Sequence, residues 1–301
     1  MPENSKSSPS DNSGRNRAHK NDFKPEQSYV RTCLTMIHLS IRRYLFTRYM
    51  MVLLALALIP LALGIIYFLG YMIQHVGQPV EKVPYMKLNG MVQTMFRVMY
   101  IHFIIFFVAN IFGFSLIRKE VDDRTLHLLF LQPVGKSTII FTKFVGFLVV
   151  TWIFLSLSFF FTYTLFHIPY GIKSLLHDLF KNGRALTLVK ELFVMLIALA
   201  MYGSFSMVMG SLFKTAWYGL IFYLWETGLP YLPSTMKFFT ISHYLQAITP
   251  EKSAIPPKMF ELYGEMPSTF RCSVTFLILL ALFMGISFIL IRKYECKYSE
   301  I

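Results

Sequence analysis

The residues of this chain that could do chemistry are few and lie in three places. A charged insert from Arg118 to Phe144 separates two long apolar segments. Glu226 is a carboxylate inside another apolar stretch, and His102 lies a little over one helical turn after Arg97. Ionisable residues within apolar spans usually face a protein interior or a wet cavity and are often functional. The insert, Glu226 and His102 are therefore the candidate sites.

For Glu226 and His102 a structural role competes with a role in a path across the membrane. Glu226 lies near mid-bilayer if its helix continues, but Gly228 and Pro230 could end the helix and leave Glu226 at the outer surface. We expect Arg97 to extend to the interface, and His102 to donate a hydrogen bond to another helix. Both readings stay open, with Glu226 and His102 as candidates for lining a translocation path.

Composition and the length of the apolar runs determine the class of protein. Of 301 residues, 55% are hydrophobic and only 15% are charged, unlike a typical soluble domain. A membrane-spanning helix needs about 20 apolar residues. The sequence therefore predicts an all-α polytopic membrane protein whose six spans cover residues 50–73, 98–117, 139–166, 192–213, 216–232 and 273–291.

The charges predict orientation and partners. An even number of spans places both termini on one side, and Lys and Arg are denser near the spans on that side, so we expect both termini and the insert to lie in the cytoplasm. The chain is then a multi-pass protein of the cytoplasmic (inner) membrane. A positive face against anionic lipid accounts for the net charge of +13 without a nucleic acid partner.

The segments outside the spans divide the chain further. Residues 1–29 are polar, which predicts a disordered tail, and residues 30–301 are expected to form a single transmembrane domain. Residues 31–50 have the pattern of an interfacial amphipathic helix, although an extension of the first span would also fit. The sequence predicts an interfacial loop with one short helix over 236–248 and an outer-surface helix within 167–184; re-entrant helices before the last span are implied only by the family resemblance described below. Three separated cysteines predict neither a metal site nor a structural disulfide.

Small residues on the fourth span predict close helix packing. Ala200, Gly203, Ser206 and Gly210 are three or four residues apart, on one side of a helix. Small side chains allow two helix backbones to approach closely in lipid. We expect another helix of the same chain to pack there.

The insert has the pattern of a docking element. Glu120, Asp122 and Asp123 are suited to the first turn of a short helix, where carboxylates oppose the helix dipole. Pro133 would end that helix, and Lys136 lies in the turn before the next span. The sequence predicts an amphipathic helix from Glu120 to Gln132 in the aqueous phase, where another protein could bind it.

No pattern in the chain predicts an enzyme. Residues 135–138 read Gly-Lys-Ser-Thr, like the end of a phosphate-binding loop, but Phe130 occupies the position of the first glycine and no soluble α/β domain surrounds it. Neither an HExxH motif nor a nucleophile with a nearby base is present. Any ATP hydrolysis linked to this chain is therefore expected in a separate subunit.

The insert resembles the cytoplasmic loop of type-2 ABC exporter permeases. The matching residues are Glu120, Arg124-Thr125-Leu126, Leu128-Leu129, Pro133-Val134, Lys136, Ile140 and Lys143-Phe144. Arg124 stands where that family usually has Gly. The resemblance implies that the loop is a coupling helix seated in a groove of an ATPase subunit, with contacts from Glu120, Asp122, Asp123, Arg124, Thr125, Leu126, Leu128, Leu129, Pro133 and Lys136.

The same resemblance implies a function and a set of partners. The chain would be the permease of an exporter that moves an unknown substrate, paired with a second permease copy and two ATPase subunits. ATP and Mg would be bound by the ATPase and no cofactor by this chain. The alternative is a non-transporting scaffold that recruits a cytoplasmic partner or transmits ATPase motion to an extracytoplasmic machine.

Overall fold

The computed structural model describes residues 25–46, 48–74, 85–122, 135–215, 217–228, 240–249 and 267–298. These residues are almost entirely helical, and no strand occurs among them. The α-helices, in chain order, are α1 (Pro25–Leu45), α2 (Arg48–Gln74), α3 (Tyr85–Met95), α4 (Phe106–Asp122), α5 (Lys136–His167), α6 (Ile172–Lys181), α7 (Arg184–Leu212), α8 (Tyr218–Gly228), α9 (Ile241–Ile248) and α10 (Thr269–Tyr298). The expected all-α class is confirmed.

Five helical stretches within the described ranges are long and apolar enough to cross a bilayer. They are Tyr49–Ile73, Leu88–Asp122, Ser137–Tyr170, Arg184–Leu212 and Thr269–Ile291. The span expected at 216–232 corresponds to α8, whose 11 residues are too few to cross about 30 Å of hydrocarbon. Residues 229–232 lie outside the described residues, so the fifth of the six expected spans, at 216–232, stays a prediction.

The second span begins earlier than its apolar pattern suggests. α3 and α4 are joined without a break by a π-helical segment, Phe96–Ile105. π-Helical turns are rare and usually occur at functional sites. The segment buries Tyr100, whose hydroxyl lies 3.0 Å from the hydroxyl oxygens of Ser158 and Thr162 on α5. His102 and Arg97 both lie in this segment.

The predicted close packing on the fourth span is confirmed. α7 packs against α4 so tightly that a Cβ added to Gly113 would lie 2.8 Å from the carbonyl oxygen of Gly203. It would also lie 2.9 Å from the Cβ of Ser206. Only glycine allows this separation, and α4 and α7 therefore form the central pair of the bundle.

α1 lies at the end of the bundle where α4 ends and α5 begins. A Cβ on Gly146 of α5 would be 2.9 Å from the Cβ of Ser40, so the two helices are in close contact. Leu34 and Leu39 of α1 remain exposed, on a side of the helix that they share with Thr35, His38 and Arg42. α1 begins at Pro25, inside the segment whose composition predicts disorder, and residues 1–24 lie outside the described residues.

Candidate functional site

Glu120 lies at the centre of a cluster of charges that joins three helices. Its side chain is only 7% exposed. Its Oε1 accepts hydrogen bonds from Nη1 of Arg43 at 2.7 Å and from Nζ of Lys143 at 2.9 Å. Arg43 belongs to α1, Glu120 to α4 and Lys143 to α5. We call these three residues the Glu120 cluster.

The burial of the cluster explains why its charged side chains stabilise one another. A buried carboxylate without a partner is strongly destabilising, and removing one member of a buried ion pair typically costs about 3 to 5 kcal/mol. Lys143 is mostly buried and Arg43 is half exposed, with side-chain exposures of 17% and 52%. The pair with Lys143 therefore depends more strongly on Glu120 than the pair with Arg43 does.

The position of Glu120 differs from the sequence expectation. α4 continues to Asp122, so Glu120 and Asp122 lie in the last turn of a span rather than in the first turn of a separate helix. Arg118 supports this extension, since its Nη2 is 2.6 Å from Oδ1 of Asp122, one turn later. Glu120 faces the interior of the bundle, and Asp122 is exposed.

Most of the other residues predicted to contact the ATPase lie outside the part of the chain that the structure describes. Lys136 is the first residue of α5, and only its backbone is described. The other predicted contacts fall outside the described residues: Asp123, Arg124, Thr125, Leu126, Leu128, Leu129 and Pro133. Their role in docking stays a prediction.

Glu226 accepts hydrogen bonds from the first backbone amides of α9. Its Oε1 lies 2.8 Å from the nitrogen of Ile241, and its Oε2 lies 3.0 Å from the nitrogen of Ser242. The hydroxyl of Tyr202 lies 3.5 Å from Oε2. The first amides of a helix have no partner within the helix and carry its positive dipole end. Glu226 therefore caps α9, and we call this arrangement the Glu226 cap.

The Glu226 cap lies deep in the bundle. Tyr202, which reaches it, is about 15 Å along the axis from the C-terminal end of α7. Glu226 itself is 3% exposed, so the structure favours the interior position over the surface one. Backbone amides at this depth need hydrogen-bond acceptors within the protein. The Glu226 carboxylate supplies these acceptors and so has a structural role. Whether Glu226 also lines a path stays a prediction.

His102 forms an interhelical hydrogen bond, but as the acceptor and not as the donor that the sequence reading expected. Its Nε2 lies 3.0 Å from Nε2 of Gln246 on α9. A side-chain amide nitrogen can only donate, so the imidazole nitrogen accepts this bond. His102 and the Glu226 cap thus hold opposite ends of the same short helix.

The expectation for Arg97 is wrong. Arg97 is buried, with 4% of its surface exposed, and does not extend to the interface. The second span is 78% buried in its most apolar window. It has little lipid-facing surface along which an arginine side chain could extend.

Sequence reasoning missed a further cluster at the opposite end of α5. The carboxylate of Asp178 on α6 accepts a hydrogen bond from the hydroxyl of Tyr163 at 2.5 Å. Nε2 of His167 lies 3.2 Å from the same carboxylate oxygen. Hydrogen bonds between side chains of two different helices leave no periodic pattern in the sequence. These three side chains come together only when the chain folds.

Comparison with known proteins identifies the class. A family model described as "ABC-2 family transporter protein" matches residues 48–290. The chain therefore belongs to the ABC-2 family, whose members are membrane subunits of ABC transporters. Such permeases are generally not catalytic and normally work with an ABC ATPase partner. No curated protein and no solved structure matches the chain significantly.

Proposed function

We propose that this chain is the membrane-spanning permease of an ATP-driven exporter and moves its substrate with ATP hydrolysed by a separate subunit. The observation that carries the proposal is the family match over residues 48–290. The Glu120 cluster adds support, because it joins α1, α4 and α5 through Glu120 and Lys143, near the two ends of the insert that the sequence marks as a docking element.

The cluster suggests how a push on the insert would reach the spans. A force on the segment after Asp122 acts first on the last turn of α4. The two ion pairs connect that turn to α1 and α5, and buried ion pairs resist separation because their charges cannot be left unpaired. The three helix ends would then move as one unit when the ATPase closes on ATP.

The proposal includes an assembly and an orientation. Two ATPase subunits, carrying ATP and Mg, act on two permease copies in the cytoplasmic membrane, with the insert and both termini in the cytoplasm. The second copy is another molecule of this chain or a close homologue. A non-transporting scaffold with the same docking insert is the competing function.

Purification of the full chain in mild detergent tests the proposal. We expect an ABC ATPase to co-purify in a ratio of one ATPase to one permease. In proteoliposomes, the permease should change the rate of ATP hydrolysis by that ATPase. A chain that purifies without any ATPase contradicts the proposal, while an ATPase that binds without substrate movement indicates the scaffold.

A photo-crosslinking residue in place of Leu128 tests the docking surface directly. A crosslink from this position to the ATPase is expected. Phe180 on α6 provides the matched control, since it is 77% exposed and lies at the opposite end of the bundle. Equal crosslinking from both positions, or crosslinking from position 180 alone, contradicts docking through the insert.

A further inference from the structure

A cavity beside the Glu120 cluster combines charged and apolar walls. It has a volume of about 240 Å³ and lies between α1, α4 and α5. Its lining includes apolar side chains from all three helices: Met36, Leu39, Leu116 and Ile139. Four charged side chains also line it: Arg43, Lys119, Lys143 and Glu120. The cavity thus suits a ligand that has both a polar and an apolar end.

The charges on the cavity wall do not balance. Among the described residues that line it, three are basic and one is acidic. Arg43 and Lys143 both donate to the same carboxylate oxygen of Glu120, so two positive charges are held close together around one negative charge. Repulsion between them is strong where water is partly excluded. A second anion in the cavity would offset this excess.

The neutral groups of the cavity fit an anion as well. Tyr44 and Tyr49 line it, and burial raises the pKa of Tyr44 well above its usual range. A tyrosine hydroxyl keeps its proton at physiological pH, and burial of Tyr44 strengthens this preference, so both tyrosines are neutral groups that can donate a hydrogen bond. Hydroxyl and ammonium donors around one space are the groups that hold phosphate oxygens.

We propose that this cavity binds the phosphate headgroup of an anionic phospholipid, whose acyl chains extend past the exposed Leu34 and Leu39 of α1. Two observations favour a lipid over a free anion. The apolar walls would leave a free phosphate partly unsolvated, and the exposed Leu34 and Leu39 of α1 offer a surface for acyl chains. Basic pockets between membrane helices on the cytoplasmic side are suited to such headgroups.

The proposal goes beyond transport, and it needs no ATPase. A lipid in this cavity would contact all three helices that the Glu120 cluster joins. It would therefore hold α1 against the spans at the surface of the membrane. The anionic lipid content of the surrounding leaflet would therefore determine how strongly α1 is held against α4 and α5.

Chemical protection of Lys119 tests the site in the full chain. The protein is placed in nanodiscs of phosphatidylcholine with or without phosphatidylglycerol, and lysine acetylation is followed by mass spectrometry. We expect Lys119 to be acetylated several-fold more slowly with phosphatidylglycerol, because each basic contact at a membrane surface contributes about 1 kcal/mol. Lys181, exposed at the opposite end of the bundle, reports the general effect of an anionic bilayer and should change much less.

Variants distinguish lipid bound in the cavity from lipid bound elsewhere on the protein surface. Native mass spectrometry should show phosphatidylglycerol retained by the protein, and Lys119→Gln should reduce retention about fivefold. Ser115→Asp, which adds a carboxylate to the wall, should reduce it further, while Lys181→Gln should leave it unchanged. Equal retention of phosphatidylcholine and phosphatidylglycerol, or equal effects of Lys119→Gln and Lys181→Gln, overturns the proposal.

A soluble phosphate distinguishes the source of the anion. Glycerol phosphate added to phosphatidylcholine nanodiscs should leave Lys119 acetylation unchanged. Protection equal to that given by phosphatidylglycerol would show a site for a free anion and overturn the lipid assignment. None of these measurements uses an ATPase, so their failure leaves the proposed function standing.

Discussion

Two buried carboxylates, Glu120 and Glu226, are held by different kinds of partner. Glu120 lies at one end of the bundle and accepts hydrogen bonds from the side chains of Arg43 and Lys143. Glu226 lies deep in the bundle and accepts them from the backbone amides of Ile241 and Ser242. The first arrangement joins helix ends through side chains, and the second fixes the start of a helix.

The kind of hydrogen-bond partner determines which substitutions each carboxylate site tolerates. Side-chain partners can be replaced together with the carboxylate, because a buried ion pair can often be exchanged for apolar residues at little cost. Backbone amides are lost only on substitution by proline, so most substitutions leave them in place. A protein without the Glu226 carboxylate must leave those donors unsatisfied or move α9. Glu226 is therefore the less replaceable residue.

The largest destabilisation is expected for Glu226→Ala. Two backbone donors at the start of α9 would lose their acceptor, and each unsatisfied buried donor costs about 1 to 3 kcal/mol. The free energy of unfolding should fall by about 3 kcal/mol or more, measured by denaturant titration in detergent micelles.

Glu226→Gln provides the matched control for this prediction. The amide keeps one acceptor oxygen and should lose about half as much stability as the alanine variant. If Glu226→Ala and Glu226→Gln unfold at the same denaturant concentration as the parent chain, the cap contributes nothing and the assignment is wrong.

A smaller loss that can be rescued is expected for Glu120→Leu. The variant leaves Lys143 largely buried without a counter-charge, which should cost about 2 to 3 kcal/mol because Arg43 and Lys143 can partly reach water. Adding Lys143→Met should restore most of this loss. A double variant as unstable as Glu120→Leu alone would show that the carboxylate does more than neutralise Lys143.

The sequence predicted much of the fold because bilayer physics leaves strong signals. Apolar runs near the length of a membrane crossing located the five spans that the structure shows. The small residues Gly203 and Ser206 indicated the tight contact with α4, since few side chains permit it. Both signals are local and repeat along a helix.

The two carboxylate sites were predicted less completely because their partners are distant in the chain. Arg43 and Glu120 are 77 positions apart, and no pattern within either segment connects them. Burial of Arg97 was also missed, because an apolar run does not reveal which of its sides faces protein. The sequence marked Glu120 and Glu226 as important residues, but their partners required the fold.

Loss of coupling without loss of stability is expected for the double variant Glu120→Leu with Lys143→Met. The spans should unfold within about 1 kcal/mol of the parent chain, while α1 and α5 lose their ionic connection to α4. Under the proposed function, the effect of the permease on ATP hydrolysis in proteoliposomes should then fall several-fold. If the double variant retains the full effect on ATP hydrolysis, the Glu120 cluster has a structural role and does not take part in coupling.

The smallest effect on stability is expected for Asp122→Asn, one turn from Arg118 and only two residues after Glu120. Asp122 is 52% exposed in its pair with Arg118, and exposed pairs one turn apart contribute only about 0.3 to 0.5 kcal/mol. The midpoint of denaturant unfolding should therefore barely change. Because Asp122 is exposed, a clear loss of ATPase binding in this variant would assign docking to the exposed face of the last turn of α4. A large loss of stability would instead show that Asp122, like Glu120, is held within the bundle.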